Sequence, residues 1–353
     1  MKKTIRLAVV GTGGMANAHA ERFLAIPGVE ICAVCDVDAG RARAYADKHA
    51  PGAVVFSDLG KMLVETRPDG LSNVTPDRFH APLSIQALEA GVAVFCEKPL
   101  ATSAVDARRM AALAAETGLP NMVNFSYRNA PAIQEAARMV REGALGRIVH
   151  VEASYLQSWL ACDIWGDWRT TPAWLWRLSS SHGSLGVLGD IGVHILDFAT
   201  FPVGPLARIN ARLKTFREIK GAEAGGYTLD ANDSAVMHVE FANGALGVIH
   251  TSRWASGHAN SLALRLHGTL GALRIDLDRS TTDLDICTGE DLRKPLWKTI
   301  TAPPSPSTYE RFVEALRSGV NDQPDFARGA EIQAALEACV ASDAGGTTVS
   351  LSV

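Results

Sequence analysis

The sequence has no apolar run approaching the roughly 20 residues a helix needs to cross a bilayer, so no membrane partner is expected. Massed basic charge is also missing. Lys and Arg are dispersed and the formal net charge of the 353 residues is -4, which argues against a nucleic-acid partner. Cysteine is scarce, with six residues at 32, 35, 96, 162, 287 and 339. Cys32 and Cys35 form a CxxC inside the apolar stretch Ile31–Cys35, but residues three apart on a strand point to opposite faces. Buried, inert thiols are therefore expected, and no second cysteine pair or histidine cluster completes a metal set. No secretory leader is expected either. Basic Met1–Arg6 is followed by an apolar run, Leu7–Val10, that Gly11 ends too early for one. The expectation is a cytoplasmic protein without internal repeats or low-complexity tracts.

What is present is an ordinary globular composition, 47% hydrophobic and 20% charged, in a chain long enough for two domains. Up to about residue 125, short β-branched runs alternate with helical segments, the pattern of a doubly wound parallel sheet. Strands are expected at Ile5–Val10, Val29–Cys35, Val54–Phe56, Gly70–Val74, Val92–Cys96 and Asn121–Phe125. Thereafter the pattern changes. A helix at Ala132–Glu142 precedes a long strand, Ile148–Gln157, and then Trp159–Trp176 carries five of the seven tryptophans. Between Ala207 and Ile286 come alternating segments that read as neighbouring antiparallel strands, with Asn243-Gly244 a strong hairpin turn. Helices are expected at Tyr309–Ser318 and Ala327–Ala341. The predicted organisation is a domain over 1–125 and a second α/β domain over 126–353.

Gly11-Thr12-Gly13-Gly14-Met15-Ala16 stands between the first strand and the first helix. Such glycines permit a tight turn and a close approach of backbone N–H groups to a pyrophosphate at the helix N-terminus. Asp36 ends the second strand 25 residues after Gly11, near the spacing of a ribose-binding acid. A carboxylate there favours NAD over NADP, although Arg41 and Arg43 follow closely. Thr75-Pro76 and His80 lie at the carboxyl end of the fourth strand, the edge where doubly wound sheets bind ligands; they suit cofactor contact or simply the start of the next helix. Glu97-Lys98-Pro99 closes the fifth strand at the same edge. Lys98 there can hydrogen-bond a substrate hydroxyl and stabilise charge on its oxygen, or Glu97 and Lys98 can form a surface ion pair of little worth. Asp190 and His194, at i and i+4, share one helical face, and so does Asp197. An imidazole can remove a hydroxyl proton as hydride leaves the carbon. The same spacing also suits an N-capping Asp190 with a buried, satisfied His194.

Together these residues resemble the glucose–fructose oxidoreductase / inositol dehydrogenase / MocA (Gfo/Idh/MocA) family of NAD(P)-dependent oxidoreductases. The resemblance rests on the Gly11–Ala16 fingerprint, Asp36, Thr75-Pro76, Glu97-Lys98-Pro99 and Asp190-x-Gly192-x-His194. Asn124-Phe125-x-Tyr127-Arg128 and Gly143-x-Leu145-Gly146 also fit, in the right order over nearly the whole chain. It implies an N-terminal Rossmann domain and a C-terminal domain with an open, mainly antiparallel sheet used for homo-oligomer contacts. The last helices, 309–341, would pack back on the first domain. It further implies that Lys98, Asp190 and His194 form the catalytic set, with His194 as base, and that Gly11, Gly13, Gly14, Met15, Asp36, Thr75, Pro76, His80, Glu97 and Lys98 serve the cofactor. Tyr127 and Arg128 would lie near the cleft. Relatives mostly oxidise ring hydroxyls of sugars, inositols and related polyols.

The tryptophan-rich stretch is less generic. Trp159, Trp165 and Trp176 suit the apolar faces of a sugar or cyclitol ring, with His182 close ahead of the catalytic helix, but such clusters also fill cores and interfaces. Two other classes compete with a dehydrogenase. One is a glycoside-cleaving enzyme that oxidises C3 transiently. The other is a non-catalytic sensor, disfavoured because both Lys98 and His194 are present.

Overall fold

The apolar run Ile5–Val10 (β1) is an inner strand of a six-stranded sheet in the computed structural model, which describes residues 4–181, 185–216 and 223–351. Elements then alternate as α1 (Gly14–Leu24), β2 (Val29–Cys35), α2 (Ala39–His49), β3 (Val54–Phe56), α3 (Leu59–Thr66) and β4 (Gly70–Asn73). They continue through α4 (His80–Glu89), β5 (Ala93–Cys96), α5 (Ala104–Thr117) and β6 (Asn121–Val123). Downstream come α6 (Pro131–Arg141), β7 (Ile148–Leu156), a short α7 (Pro172–Leu175) and α8 (Val193–Val203). Strands follow at β8 (Leu206–Lys214), β9 (Glu223–Ala224), β10 (Tyr227–Thr228), β11 (Ser234–Phe241), β12 (Leu246–Ser252) and β13 (Ser261–Gly268). β14 (Gly271–Asp276), β15 (Asp283–Thr288), β16 (Lys298–Thr301), α9 (Thr308–Ser318), α10 (Phe326–Gly345) and β17 (Val349–Ser350) complete the order.

Two compact units result: Met1–Ser126 with Pro306–Gln333, and Tyr127–Ser305 with Ala334–Val353. In the first, the strands run parallel in the order β3-β2-β1-β4-β5-β6. That order reverses direction between β1 and β4, and ligands of such sheets bind outside the carboxyl ends of the strands at that point. Helix starts follow local chemistry. Asp58 caps α3 by accepting from the Lys61 N–H, Ser103 caps α5 in the same way, and Ser307 with Glu310 forms a capping box on α9. Helix α9 lays Tyr309, Phe312 and Val313 against Ile5, Leu7, Phe95 and Met122, so the C-terminal segment seals one face of this sheet's core.

In the second unit nine strands form one sheet, in the order β16-β15-β14-β13-β7-β12-β11-β8-β17. Most neighbours are antiparallel, including the β11–β12 hairpin at Asn243-Gly244. Among the described residues β7 and β12 are the one parallel pair, within a sheet that is mainly antiparallel as expected. A long stretch containing α8 joins these two strands in place of a hairpin, so their direction is free to match. The edge strands β16 and β17 were not legible in the sequence: they are four and two residues long, too short for a period-2 signal. The cysteines are all free, with Cys35 buried and pushed up to about 11 by that burial. Among the described residues no group of His, Cys, Asp and Glu could hold a metal, and no helix is long and apolar enough to cross a membrane.

Candidate active site

In the first unit, β1 runs into Gly11, whose φ of 84° is open to glycine. A Cβ there would stand 2.8 Å from the Val74 carbonyl and the Thr75 nitrogen, so the turn requires glycine twice over. Gly13 and Gly14 are the reverse case. Nothing lies within 4 Å of where their Cβ atoms would stand, and Gly13 caps α1 without any side-chain bond. The first N–H groups of α1 thus face an open, side-chain-free surface, the setting that a pyrophosphate requires. Met15, on the first turn, is exposed.

Asp36 closes β2 beside this turn. Its carboxylate accepts from the Thr12 N–H (2.8 Å) and hydroxyl (2.7 Å), from the Asp38 N–H (3.0 Å), and from Arg41 through Nε (3.2 Å) and Nη2 (2.6 Å). Burial would raise this carboxyl, but Arg41 and the N–H groups of Asp38 and Thr12 outweigh it and hold it well below the usual carboxylate range. The group is thus an ionised acceptor, suited to ribose hydroxyls. Arg41 keeps half of its side chain exposed and can leave the carboxylate.

Thr75 follows β4, its hydroxyl donating to Asn73 Oδ1 (2.7 Å), while Pro76 is exposed. Both ring nitrogens of buried His80 meet backbone carbonyls, Nδ1 at Pro99 (2.7 Å) and Nε2 at Thr75 (2.8 Å). Glu97 turns inward. Its Oε1 accepts from Asn124 Nδ2 (2.6 Å) and lies 2.8 Å from His19 Nε2, and its Oε2 accepts the Lys98 N–H (3.1 Å). His19 continues to Ser72 Oγ (2.8 Å), and Asn124 donates to Tyr309 Oη (3.0 Å). Burial alone would raise the Glu97 carboxyl, yet His19, Asn124 and the Lys98 charge bring it down to about 2. A surface Glu97–Lys98 ion pair is therefore not what the motif builds. Glu97 anchors the loop through His19 and Asn124, and Lys98 stands half-buried at the carboxyl edge of β5.

In the second unit, residues Leu188–Gly192 form a π-helical turn that leads directly into α8. Such turns are uncommon and recur at functional sites. Asp190 sits in it and His194 in the first turn of α8. Asp190 Oδ2 accepts from Arg253 Nη2 at 2.7 Å, with Arg177 Nε at 3.6 Å. Arg253 is fully buried, donates also to the Arg177 carbonyl (3.0 Å) and lies over the Trp159 ring. Burial lowers its pKa, and the Asp190 charge opposes that. The guanidiniums rather than an N-cap bond thus define the surroundings of Asp190. His194 is nearly buried, with Tyr127 edge-on at 5.0 Å between ring centroids. Tyr127 Oη lies 2.6 Å from Tyr155 Oη and accepts from Asn260 Nδ2 (2.8 Å), so its ring is fixed against the histidine.

Other expected contacts fall elsewhere. Arg128 and Asp197 form a buried bidentate pair (2.6 and 2.8 Å), with Phe201 under the guanidinium. The Arg128 guanidinium is thus engaged by Asp197, and Asp197 is taken up by this pair. Trp159 is buried with Leu160, Trp168, Leu175 and Leu178, its Nε1 donating to Gln157 (3.0 Å). Trp165 and Trp176 keep partial exposure; Trp165 stacks on Trp174 and Arg177 lies over Trp176. His182 lies outside the described residues. Arg253 and His19 were missed by the sequence reading, and Asn124 was singled out only as part of the family pattern, without its tie to Glu97. Arg253 had one signal, a lone arginine directly after an apolar strand, whereas the partners of Glu97 stand 78 and 27 residues from it.

Residues 5–125 match the family described as "Oxidoreductase family, NAD-binding Rossmann fold", and residues 133–274 match "GFO/IDH/MocA C-terminal domain". A levoglucosan dehydrogenase from Pseudarthrobacter phenanthrenivorans is 30% identical over 298 residues, 78% of this chain and 75% of the relative. A D-glucoside 3-dehydrogenase from Escherichia coli is 32% identical over 256 residues, 70% of each chain. Among solved structures, a levoglucosan dehydrogenase in complex with NADH and levoglucosan has a TM-score of 0.88, at 26% identity over 99% of both chains.

Proposed function

Because the chain belongs to the Gfo/Idh/MocA family of NAD-binding oxidoreductases, we propose that it oxidises a ring hydroxyl of a sugar, inositol or related cyclic polyol to a ketone or lactone. The protein is an NAD-dependent oxidoreductase; its substrate and the division of labour among its residues are our reading. The observation that carries it is the bare glycine turn at the start of α1, beside an ionised Asp36 and on the same sheet edge as Lys98. The relatives named for levoglucosan and D-glucosides support a cyclic polyhydroxylated substrate.

Bound NAD supplies the acceptor for the hydride that leaves the hydroxyl-bearing carbon. Gly13, Gly14 and the first N–H groups of α1 hold its pyrophosphate, and Asp36 its ribose. His194 takes the hydroxyl proton, its ring angle set by Tyr127. Asp190, faced by Arg253 and Arg177, accepts a hydrogen bond from a hydroxyl, and the Lys98 ammonium stabilises charge developing on the reacting oxygen. Trp165 and Trp176 offer apolar faces to the ring. A homo-oligomer completes the reading, supported by Val236 and Leu246 exposed on the open face of the nine-stranded sheet; light scattering after size exclusion tests it, and a cytoplasmic location is proposed alongside.

The test is NADH formation across a panel of sugars, inositols and anhydrosugars, with NAD and NADP in parallel. A strong signal with a ring polyol and NAD is expected. Lys98→Ala and His194→Ala are expected to lower turnover about 100-fold or more while leaving NAD affinity near that of the parent. Near-normal turnover in both variants would overturn the assignment of roles. Silence across the whole panel, with NAD bound, would overturn the dehydrogenase reading in favour of glycoside cleavage.

A further inference from the structure

His80 is 1% exposed, and each of its ring nitrogens faces a carbonyl oxygen: Nδ1 that of Pro99 at 2.7 Å, Nε2 that of Thr75 at 2.8 Å. A carbonyl oxygen only accepts, and a neutral imidazole has only one N–H. Either tautomer would leave one bare ring nitrogen pressed against an acceptor in a buried setting, where an unmade bond is costly. Only the imidazolium makes both bonds. We propose that His80 is a standing buried cation, and that its two N–H groups brace the Thr75 turn against the Glu97-Lys98-Pro99 turn. It acts as a positioning residue for the nicotinamide-side edge of the site.

The surroundings suit a cation. Besides the two carbonyls, the titratable groups acting on the ring are Asp77, in the turn just before α4, and Cys96, at the end of β5. Burial would lower the imidazole pKa; Cys96, Asp77 and the Pro99 carbonyl outweigh it and push it up to about 10. Asn73 fixes the histidine's own backbone by donating to the His80 carbonyl (3.1 Å), and it accepts the Thr75 hydroxyl (2.7 Å). The two turns are thus tied through one ring, and Lys98 is the residue directly before one of the two carbonyls. The kinetic part of the proposal rests on reading that edge as the cofactor's; the charge of His80 does not.

The experiment follows the imidazole nitrogens of histidine-¹⁵N-labelled protein by long-range ¹H–¹⁵N correlation between pH 6 and 9, with His80→Gln to assign the signal. His80→Asn serves if the glutamine variant does not fold. One ring is expected to keep both protons across that range and to vanish in the variant. NAD affinity, followed by tryptophan fluorescence, is expected to weaken about tenfold in His80→Gln, as for a lost charge-assisted bond, with turnover falling alongside. Parent affinity should hold to pH 9 and decline as pH approaches about 10, while that of the variant stays flat. Titration of the His80 ring near its ordinary value would overturn the cation. A variant with lower Tm but unchanged NAD affinity and turnover would overturn the bracing role. The ring titration and the NAD affinity need no polyol substrate, so a failed substrate panel leaves those two readouts standing.

Discussion

Asp36 spends its acceptor capacity on Thr12, Asp38 and Arg41 before any ribose arrives. Thr12 and Asp38 hold the carboxylate from behind, and Arg41 covers its open side. If Asp36 holds the ribose as proposed, the sugar hydroxyls would compete with Arg41 for its carboxylate, and a 2′-phosphate would face its negative charge. Asp36→Ala is therefore expected to raise KM for NAD about tenfold, the size of a lost hydrogen bond to a charged group, and to narrow the preference over NADP. Equal loss with both nucleotides would count against the ribose role. Gly11 is decided by backbone alone. Gly11→Ala drives a Cβ into the Val74–Thr75 peptide at φ 84°, and it is expected to abolish NAD binding or folding, as read by circular dichroism and nucleotide titration. Both residues were legible in the sequence because each stands at a fixed place in the strand–turn–helix pattern, Gly11 at the end of β1 and Asp36 at the end of β2. Glu97 was not: its ligands come from α1 and from beyond β6.

At the scale of elements, α9 closes the core under β1, β5 and β6 with Phe312 fully buried. Phe312→Ala is expected to cost about 3–5 kcal/mol by loss of transfer energy and an unfilled cavity, measured as a shift of the urea midpoint. A loss under 1 kcal/mol would mean the helix is not part of that core. Most elements were legible from periodicity and caps, from Asn243-Gly244 at the β11–β12 hairpin to the strands of the parallel sheet. The π-helical turn at Leu188–Gly192 was not. Its five-residue hydrogen-bonding pattern leaves no mark on composition, and it changes the i,i+4 geometry on which the Asp190–His194 pairing was reasoned. The tryptophan stretch divides in the same way: rings that read alike in sequence split into buried Trp159 and Trp168 and half-buried Trp165, Trp174 and Trp176.

Over the whole molecule, buried charge sets the response to pH. The Glu97 carboxyl is depressed from 4.5 to about 2 by its partners. Its stabilising effect is complete above pH 4.5 and is lost as pH falls toward 2. His80 has the opposite sign: raised from 6.5 to about 10, it contributes fully below pH 6.5 and loses its contribution as pH climbs through 10. Urea midpoints are therefore expected to fall at both ends, with Glu97→Gln flattening the acid limb and His80→Gln the alkaline one. Unchanged limbs in the variants would refute these assignments. By itself the sequence determined the alternating sheet, the nucleotide turn, the acid at the end of β2 and the positions of Lys98, Asp190 and His194. Each of these follows from patterns and spacings that the chain carries along its length. Only the tertiary structure decided that Glu97 is an anchor, that Arg253 faces Asp190, that Arg128 is spent on Asp197 and that His80 meets two carbonyls. Those outcomes depend on which groups burial forces to find partners, and the partners come from distant parts of the chain.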